Sequence, residues 1–119
     1  MGHNHIVQLL SVRVTPDDDP NGFGILVDGS MSLPFTLERA YSGVQGYYFE
    51  QYLFMAGGKT VFASEPKQIF IRGLQSSTLH TTHVDERIPL SAGTCDLVFV
   101  VDDIRSEPIE LTVNAVASV

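Results

Sequence analysis

Alternation of apolar and polar residues with a period of two is the dominant pattern along this chain. From Met31 to Leu37, and again from Ile109 to Ala115, every second residue is apolar. Because successive side chains of a strand point to opposite faces, each run predicts a strand with one face in a core. No comparable stretch has the apolar spacing of an amphipathic helix. The pattern therefore predicts an all-β protein.

Turn residues divide the chain into short predicted strands. These lie at 6–14, 23–27, 31–37, 47–56, 60–63, 68–72, 95–101 and 109–115, while 76–86 is either a loop or an exposed edge strand. Asp19-Pro20-Asn21-Gly22 predicts a hairpin between the first two strands, and Gly57-Gly58 predicts another. Pro34 places its strand at a sheet edge or a bulge, with one or two helical turns at 36–42 as the alternative.

Short strands separated by turns at intervals of about 8–12 residues are typical of a sandwich or a barrel. The run 95–101 is apolar on both faces, which predicts a central strand. We therefore expect an antiparallel β-sandwich, with a small β-barrel as the alternative. A length of 119 residues corresponds to a single domain over 1–119, in which 1–5 form a flexible terminus.

The segment 89–103, followed by the strand at 109–113, resembles the last two strands of immunoglobulin-like sandwich domains. Small bacterial families without an assigned function are among these domains. In them, a Gly-Thr or Gly-Ser pair leads into the penultimate strand, as Gly93-Thr94 does here, and a tyrosine usually follows. Cys95 stands at that tyrosine's position, so the tyrosine-corner hydrogen bond is missing. The resemblance implies an immunoglobulin-like sandwich and carries no function of its own.

Charge, cysteine content and hydrophobicity limit the classes of binding partner and the cellular compartment that we expect. The net charge of −7, from 7 basic and 14 acidic residues, argues against nucleic acid and against an anionic membrane surface. Cys95 is the only cysteine, so no intramolecular disulfide can form, and its apolar surroundings predict an inert core thiol. No signal-type leader follows the first residues, and no apolar run approaches the ~20 residues of a membrane span. We expect a cytoplasmic protein.

The loop from Asp17 to Asp28 has the spacing of oxygen ligands in a calcium loop. Its candidate ligands are Asp17, Asp19, Asn21 and Asp28. Three departures count against calcium: the last ligand is a short aspartate, Pro20 stands inside the loop, and strands flank it in place of helices. The favoured interpretation is an acidic hairpin tip, with the calcium site as the alternative.

Histidines form two further candidate metal pairs. His3 and His5 lie beside the amino terminus, whereas His80 and His83 are spaced to point to opposite faces of a strand. Either pair would need ligands from elsewhere in the chain. We expect no bound metal and no cofactor.

Catalytic motifs are weak. Ser64 and Lys67 have the Ser-x-x-Lys spacing of serine acylases, but Pro66 between them is incompatible with the helix that this chemistry needs. His83 and Asp85 could form an oriented imidazole, yet no residue is indicated as the nucleophile. We expect a protein that is not an enzyme.

The strand at 47–56 carries aromatic residues on both of its faces. Tyr48, Tyr52 and Phe54 share one face, and Tyr47 and Phe49 share the other. Such a strand is either covered on both sides, for instance by 76–86, or presents an interaction surface. We predict that Tyr48, Tyr52 and Phe54 form an interface with a protein partner or with a second copy in a homodimer.

The function that these residues favour is a non-enzymatic binding or assembly module acting through a sheet face or edge. The alternative is a β domain that binds a metal or a small ligand through the Asp17–Asp28 loop or the histidines.

Overall fold

The structure, a computed structural model, describes residues 7–116, and every regular element in that range is a β-strand. The strands are β1 Val7–Pro16, β2 Ile25–Asp28, β3 Met31–Ser32, β4 Phe35–Gly43, β5 Gly46–Ala56, β6 Lys59–Ala63, β7 Lys67–Ile71, β8 Thr78–Val84, β9 Gly93–Val101, β10 Ile104–Arg105 and β11 Ile109–Ala115. The predicted flexible terminus at 1–5, with His3 and His5, lies outside the described residues.

The strands form two sheets that face each other. The small sheet has the order β1-β4-β8. The large sheet has the order β3-β2-β11-β9-β5-β6, with β7 also paired to β5 and β10 to β9. Every pair is antiparallel except β2 with β11, which is parallel. The predicted β-sandwich is confirmed, and within 7–116 no strand pairing closes the two sheets into the alternative barrel.

A main hydrophobic core fills the space between the sheets. Phe35 and Leu37 of the small sheet meet Phe54, Leu97 and Phe99 of the large sheet there, and all five are buried. Each belongs to a strand in which buried residues alternate with more accessible ones over part of its length, as the period of two predicts. The helical alternative at 36–42 is wrong, because the inward residues of β4 need this alternation to reach the core.

The predicted hairpin between the first two strands is wrong. β1 pairs with β4, whereas β2 pairs with β3 and β11 in the other sheet. The turn itself forms, since the Gly22 amide donates to the Asp19 carbonyl at 2.8 Å. After the turn, the chain passes from the small sheet to the large sheet at Gly24, whose φ is 86°. A Cβ atom at this position would lie 2.3 Å from the Thr112 carbonyl oxygen. Only glycine permits so close an approach in that conformation.

Three other expectations hold. β5 and β6 form the hairpin predicted at Gly57-Gly58, whose φ values are 59° and 79°. β9 is central, between β5 and β11. The segment 76–86 contains an exposed edge strand, β8.

Cys95 is buried in the core. Burial, with a smaller effect from Asp96, raises the pKa of its thiol to about 11, so the thiol stays protonated.

Candidate interaction surfaces

The face of β5 predicted as an interface is its inner face. Tyr48, Tyr52 and Phe54 are only 7%, 9% and 0% exposed. Phe54 packs edge-on against Phe35 of the small sheet, with ring centroids 5.8 Å apart. The prediction of an interface at Tyr48, Tyr52 and Phe54 is therefore wrong. A period of two separates the two faces of a strand but does not say which one looks inward, and here both are rich in aromatic residues.

The opposite face of β5 holds the exposed aromatic residues. Tyr47 is 67% exposed and Phe49 is 57% exposed, and Phe70 on the neighbouring β7 is also exposed. We refer to Tyr47, Phe49 and Phe70 as the aromatic patch. Exposed Val44 and Leu74 stand in turns at the same end of the sandwich, where the Gly43 amide donates to the Gly73 carbonyl. Exposed aromatic side chains grouped on one face of a sheet are characteristic of interaction sites.

Strand pairing holds the aromatic patch in place. Tyr47 lies directly opposite Phe70 in the β5–β7 register, and their ring centroids are 5.0 Å apart. The Phe49 amide donates to a carboxylate oxygen of Asp102 at 2.8 Å, and the Asp102 amide donates back to the Phe49 carbonyl at 3.0 Å. Asp102 and Asp103 form the β9–β10 turn with left-handed φ values of 47° and 71°. These contacts hold the backbone of the aromatic patch in place without a binding partner.

A buried ion pair on the inner face of β5 links the two sheets. Arg39 of β4 and Glu50 of β5 are 4% and 3% exposed. The Arg39 Nε–H donates to Glu50 Oε2 at 2.8 Å, and Nη2 donates to Oε1, so the contact is bidentate. Arg39 Nη1 also donates to the Thr82 hydroxyl at 2.7 Å. The Tyr41 hydroxyl donates to Glu50 Oε2 at 2.7 Å. Burial, and then the Glu50 carboxylate, raise the pKa of Tyr41, which keeps the phenol protonated.

The ion pair forms the floor of a cleft on the side of the sandwich where β8 faces β6 and β7. The cleft has a volume of about 620 Å³, and its walls include Lys67, His80 and Glu86. The buried Nε2 of His80 has no hydrogen-bond partner among the described residues. Burial, and then the nearby Arg39, lower the pKa of His80, so its neutral form is favoured. This mixture of charges offers polar contacts without a dominant sign.

Arg39 and Glu50 were missed by sequence reasoning, although a signal exists. Each is a charged residue at an inward position of an alternating strand: Arg39 between Leu37 and Tyr41, and Glu50 between Tyr48 and Tyr52. A buried charge is very costly unless it is paired. One such cation and one such anion on consecutive strands therefore indicate a partnership across the core.

The candidate calcium ligands do not converge. Asp17 follows β1 in the small sheet, and its carboxylate lies 2.5 Å from Nε2 of His83. Asp28 ends β2 in the large sheet. Over residues 7–116, no group of three or more His, Cys, Asp or Glu side chains could hold a metal ion. His80 and His83 lie on opposite faces of β8, as their spacing predicts. The hydrogen bond to Asp17 raises the pKa of His83.

No protein-family model and no curated protein matches this sequence. Among solved structures, the fold is similar to part of the Pseudomonas fluorescens alkylpurine DNA glycosylase AlkC, bound to DNA containing an abasic site analog. The TM-score is 0.52 and the identity 11%, over 92% of this chain and 30% of the glycosylase. The CARDB domain of a Pyrococcus furiosus protein, in complex with di-metal ions, gives a TM-score of 0.47 and 9% identity over 96% of this chain and 99% of the domain.

The likeness to the glycosylase concerns the fold alone. This chain spans less than a third of the glycosylase's length, and at 11% identity the likeness extends to the arrangement of strands alone. In the described range, the structure contains no helix long and apolar enough to cross a membrane. The conclusion that the sequence, the structure and the glycosylase likeness share is a β-sandwich.

Proposed function

We propose that this protein is a non-enzymatic binding module whose contact surface is the aromatic patch. The observation that supports this is the exposure of Tyr47 and Phe49 on a strand whose inner face already completes the core. These side chains therefore add little to the stability of the isolated domain. Aromatic residues placed in this way are typical anchors for a protein partner.

The energetic case rests on the area that a partner would cover. Fully burying one large apolar side chain contributes about 1.5–3 kcal/mol. Tyr47 and Phe49 are each more than half exposed, so covering both would contribute roughly 2–4 kcal/mol. Their positions are set by strand pairing and by the Asp102 turn, which lowers the ordering cost of binding. The partner that fits is a protein with an apolar or aromatic surface of its own.

A non-catalytic role agrees with the state of the reactive side chains. The only cysteine, Cys95, is buried and protonated. His83 is paired with the Asp17 carboxylate at the surface.

Photo-crosslinking tests the proposal because it traps whichever protein contacts the aromatic patch. Benzoylphenylalanine would replace Phe49 in one variant and the exposed Ser11, on the small sheet, in the control. After irradiation in an extract of the source cells, we expect a discrete adduct from position 49 and none from position 11. Excess wild-type protein should compete the adduct away, and excess Tyr47→Ser/Phe70→Ser protein should not.

Two outcomes would contradict the proposal. One is the same pattern of adducts from both positions, which would indicate random collisions. The other is equal competition by the wild type and by the Tyr47→Ser/Phe70→Ser variant, which would place the contact elsewhere. Circular dichroism of each variant checks that the sandwich is intact.

A further inference from the structure

We propose that the free edge of β8 pairs antiparallel with β8 of a second copy of this chain. The two copies would be related by a two-fold axis through Thr81, joining two three-stranded small sheets into one sheet of six strands. This contact uses the sheet opposite the aromatic patch, so it stands or falls independently of the proposed function.

β8 lacks the features by which free sheet edges normally avoid pairing. Edge strands avoid pairing by being short, charged, bulged or interrupted by proline. Over residues 7–116, the other edges have such devices. β1 has a bulge between Leu9 and Ser11 and ends in Pro16, β3 has two residues, and β6 and β7 each begin with a lysine.

β8, by contrast, is seven residues long, Thr78-Leu-His-Thr-Thr-His-Val84, and pairs with β4 without a register shift. It contains no proline, lysine, arginine, aspartate or glutamate. Long, regular and uncharged edges are the ones that template pairing with another chain. The cleft of about 620 Å³ beside His80, Thr81 and Thr82 leaves open space next to this edge.

The sequence of β8 is also suited to pairing with a second copy of itself. With Thr81 opposite its own copy, Leu79 lies opposite His83, His80 opposite Thr82, and Thr78 opposite Val84. Inward residues then meet inward residues, so both cores stay on the same side of the joined sheet. Leu79, which is 62% exposed, gains a cross-strand neighbour.

Electrostatics also favour contact between two copies at the β8 edge. The chain carries a net charge of −7, so two copies repel each other overall. Within β8 only the two histidines can ionise, and His83 faces the Asp17 carboxylate of its own chain. This edge is therefore a place where two copies can approach without juxtaposing carboxylates of the strand, and a symmetric pair is the commonest closed assembly.

Sedimentation velocity over a concentration series tests the proposal on the full chain. We expect the wild type to form a reversible dimer. Thr81→Lys places two like charges beside each other at the axis and should raise the dissociation constant at least about tenfold. Ser11→Lys adds the same charge at the opposite edge of the same sheet and should leave the dissociation constant unchanged.

A disulfide experiment tests the register. Thr81→Cys places the thiol opposite its own copy, so mild oxidation should yield a covalent dimer, whereas Ser11→Cys should not. Buried Cys95 is not expected to compete. A wild type that stays monomeric up to about 1 mM, or equal effects of Thr81→Lys and Ser11→Lys in proteins that melt cooperatively, would overturn the proposal.

Discussion

Removing the carboxylate of Glu50 is the sharpest test of how the two sheets are held together. In Glu50→Leu, the buried Arg39 guanidinium loses both of its carboxylate contacts. Breaking a buried ion pair by removing one partner costs about 3–5 kcal/mol, because the remaining charge is uncompensated. We expect a loss of that size in the free energy of unfolding, which is a large fraction of the stability of a typical domain.

The companion variants separate the charge from the space it occupies. Arg39→Met/Glu50→Leu removes both charges, and we expect it to recover the part of the loss that comes from the unpaired guanidinium, since apolar replacement of a buried pair is often neutral. The Tyr41 hydroxyl would still lack its acceptor, which leaves a deficit of about 1–3 kcal/mol. Tyr41→Phe in the same background should remove that deficit.

Urea denaturation followed by fluorescence or circular dichroism supplies the numbers, with the slopes compared to check for two-state unfolding. A loss of less than about 1 kcal/mol in Glu50→Leu would show that the ion pair does not stabilise the sandwich. Effects of Arg39→Met and Glu50→Leu that simply add would show the same, because contacting partners must show a coupling energy.

Three further predictions concern single sites. Asp103→Gly should raise the free energy of unfolding by about 0.5 kcal/mol in urea melts, since relief of the left-handed φ of 71° outweighs the entropy glycine loses on folding; a loss of stability would contradict this. NMR titration should place the pKa of His80 below 6.5 and that of His83 above it, with Asp17→Asn returning His83 toward the ordinary value. The contribution of His83 to the free energy of unfolding is therefore complete below pH 6.5 and is lost as the pH rises through its folded pKa. His80 has the opposite effect, because a pH that falls below 6.5 protonates it more readily in the unfolded chain and so lowers the free energy of unfolding. Calcium at about 1 mM should leave the melting temperature unchanged, and a rise abolished by Asp17→Ala would restore the calcium alternative.

Strand positions could be predicted from the sequence because they depend on local alternation. The runs around Met31–Leu37 and Ile109–Ala115 do lie largely in β-strands, although the first is divided at Pro34 into β3 and β4. The partner of each strand could not be predicted in the same way. Asp19-Pro20-Asn21-Gly22 makes a good turn, but a turn fixes only local geometry. Which sheet the next strand joins is decided by pairing with β11, far along the chain.

The exposed face of β5 could not be predicted from alternation alone, for a related reason. Tyr48 and Tyr47 are both aromatic neighbours on β5, yet one is buried and the other is 67% exposed. The missing information was the place of Glu50, which shares its face with Tyr48 and must find a cation inside the protein. A pairing of Glu50 with Arg39 inside the protein identifies the face of β5 that carries Glu50 and Tyr48 as the inner one.

The parallel pairing of β2 with β11 has a consequence for how the chain is made. Ile25 lies opposite Val113, so β2 has no partner in the large sheet except the two-residue β3 until β11 has been synthesised. The β5–β6 hairpin can close much earlier, because its strands are adjacent in sequence. Until β11 has been made, the backbone of β2 from Ile25 to Val27 keeps one edge without its strand partner. A nascent chain stalled before β11 would therefore expose β2 and one side of β9 together, which makes late truncations prone to aggregate.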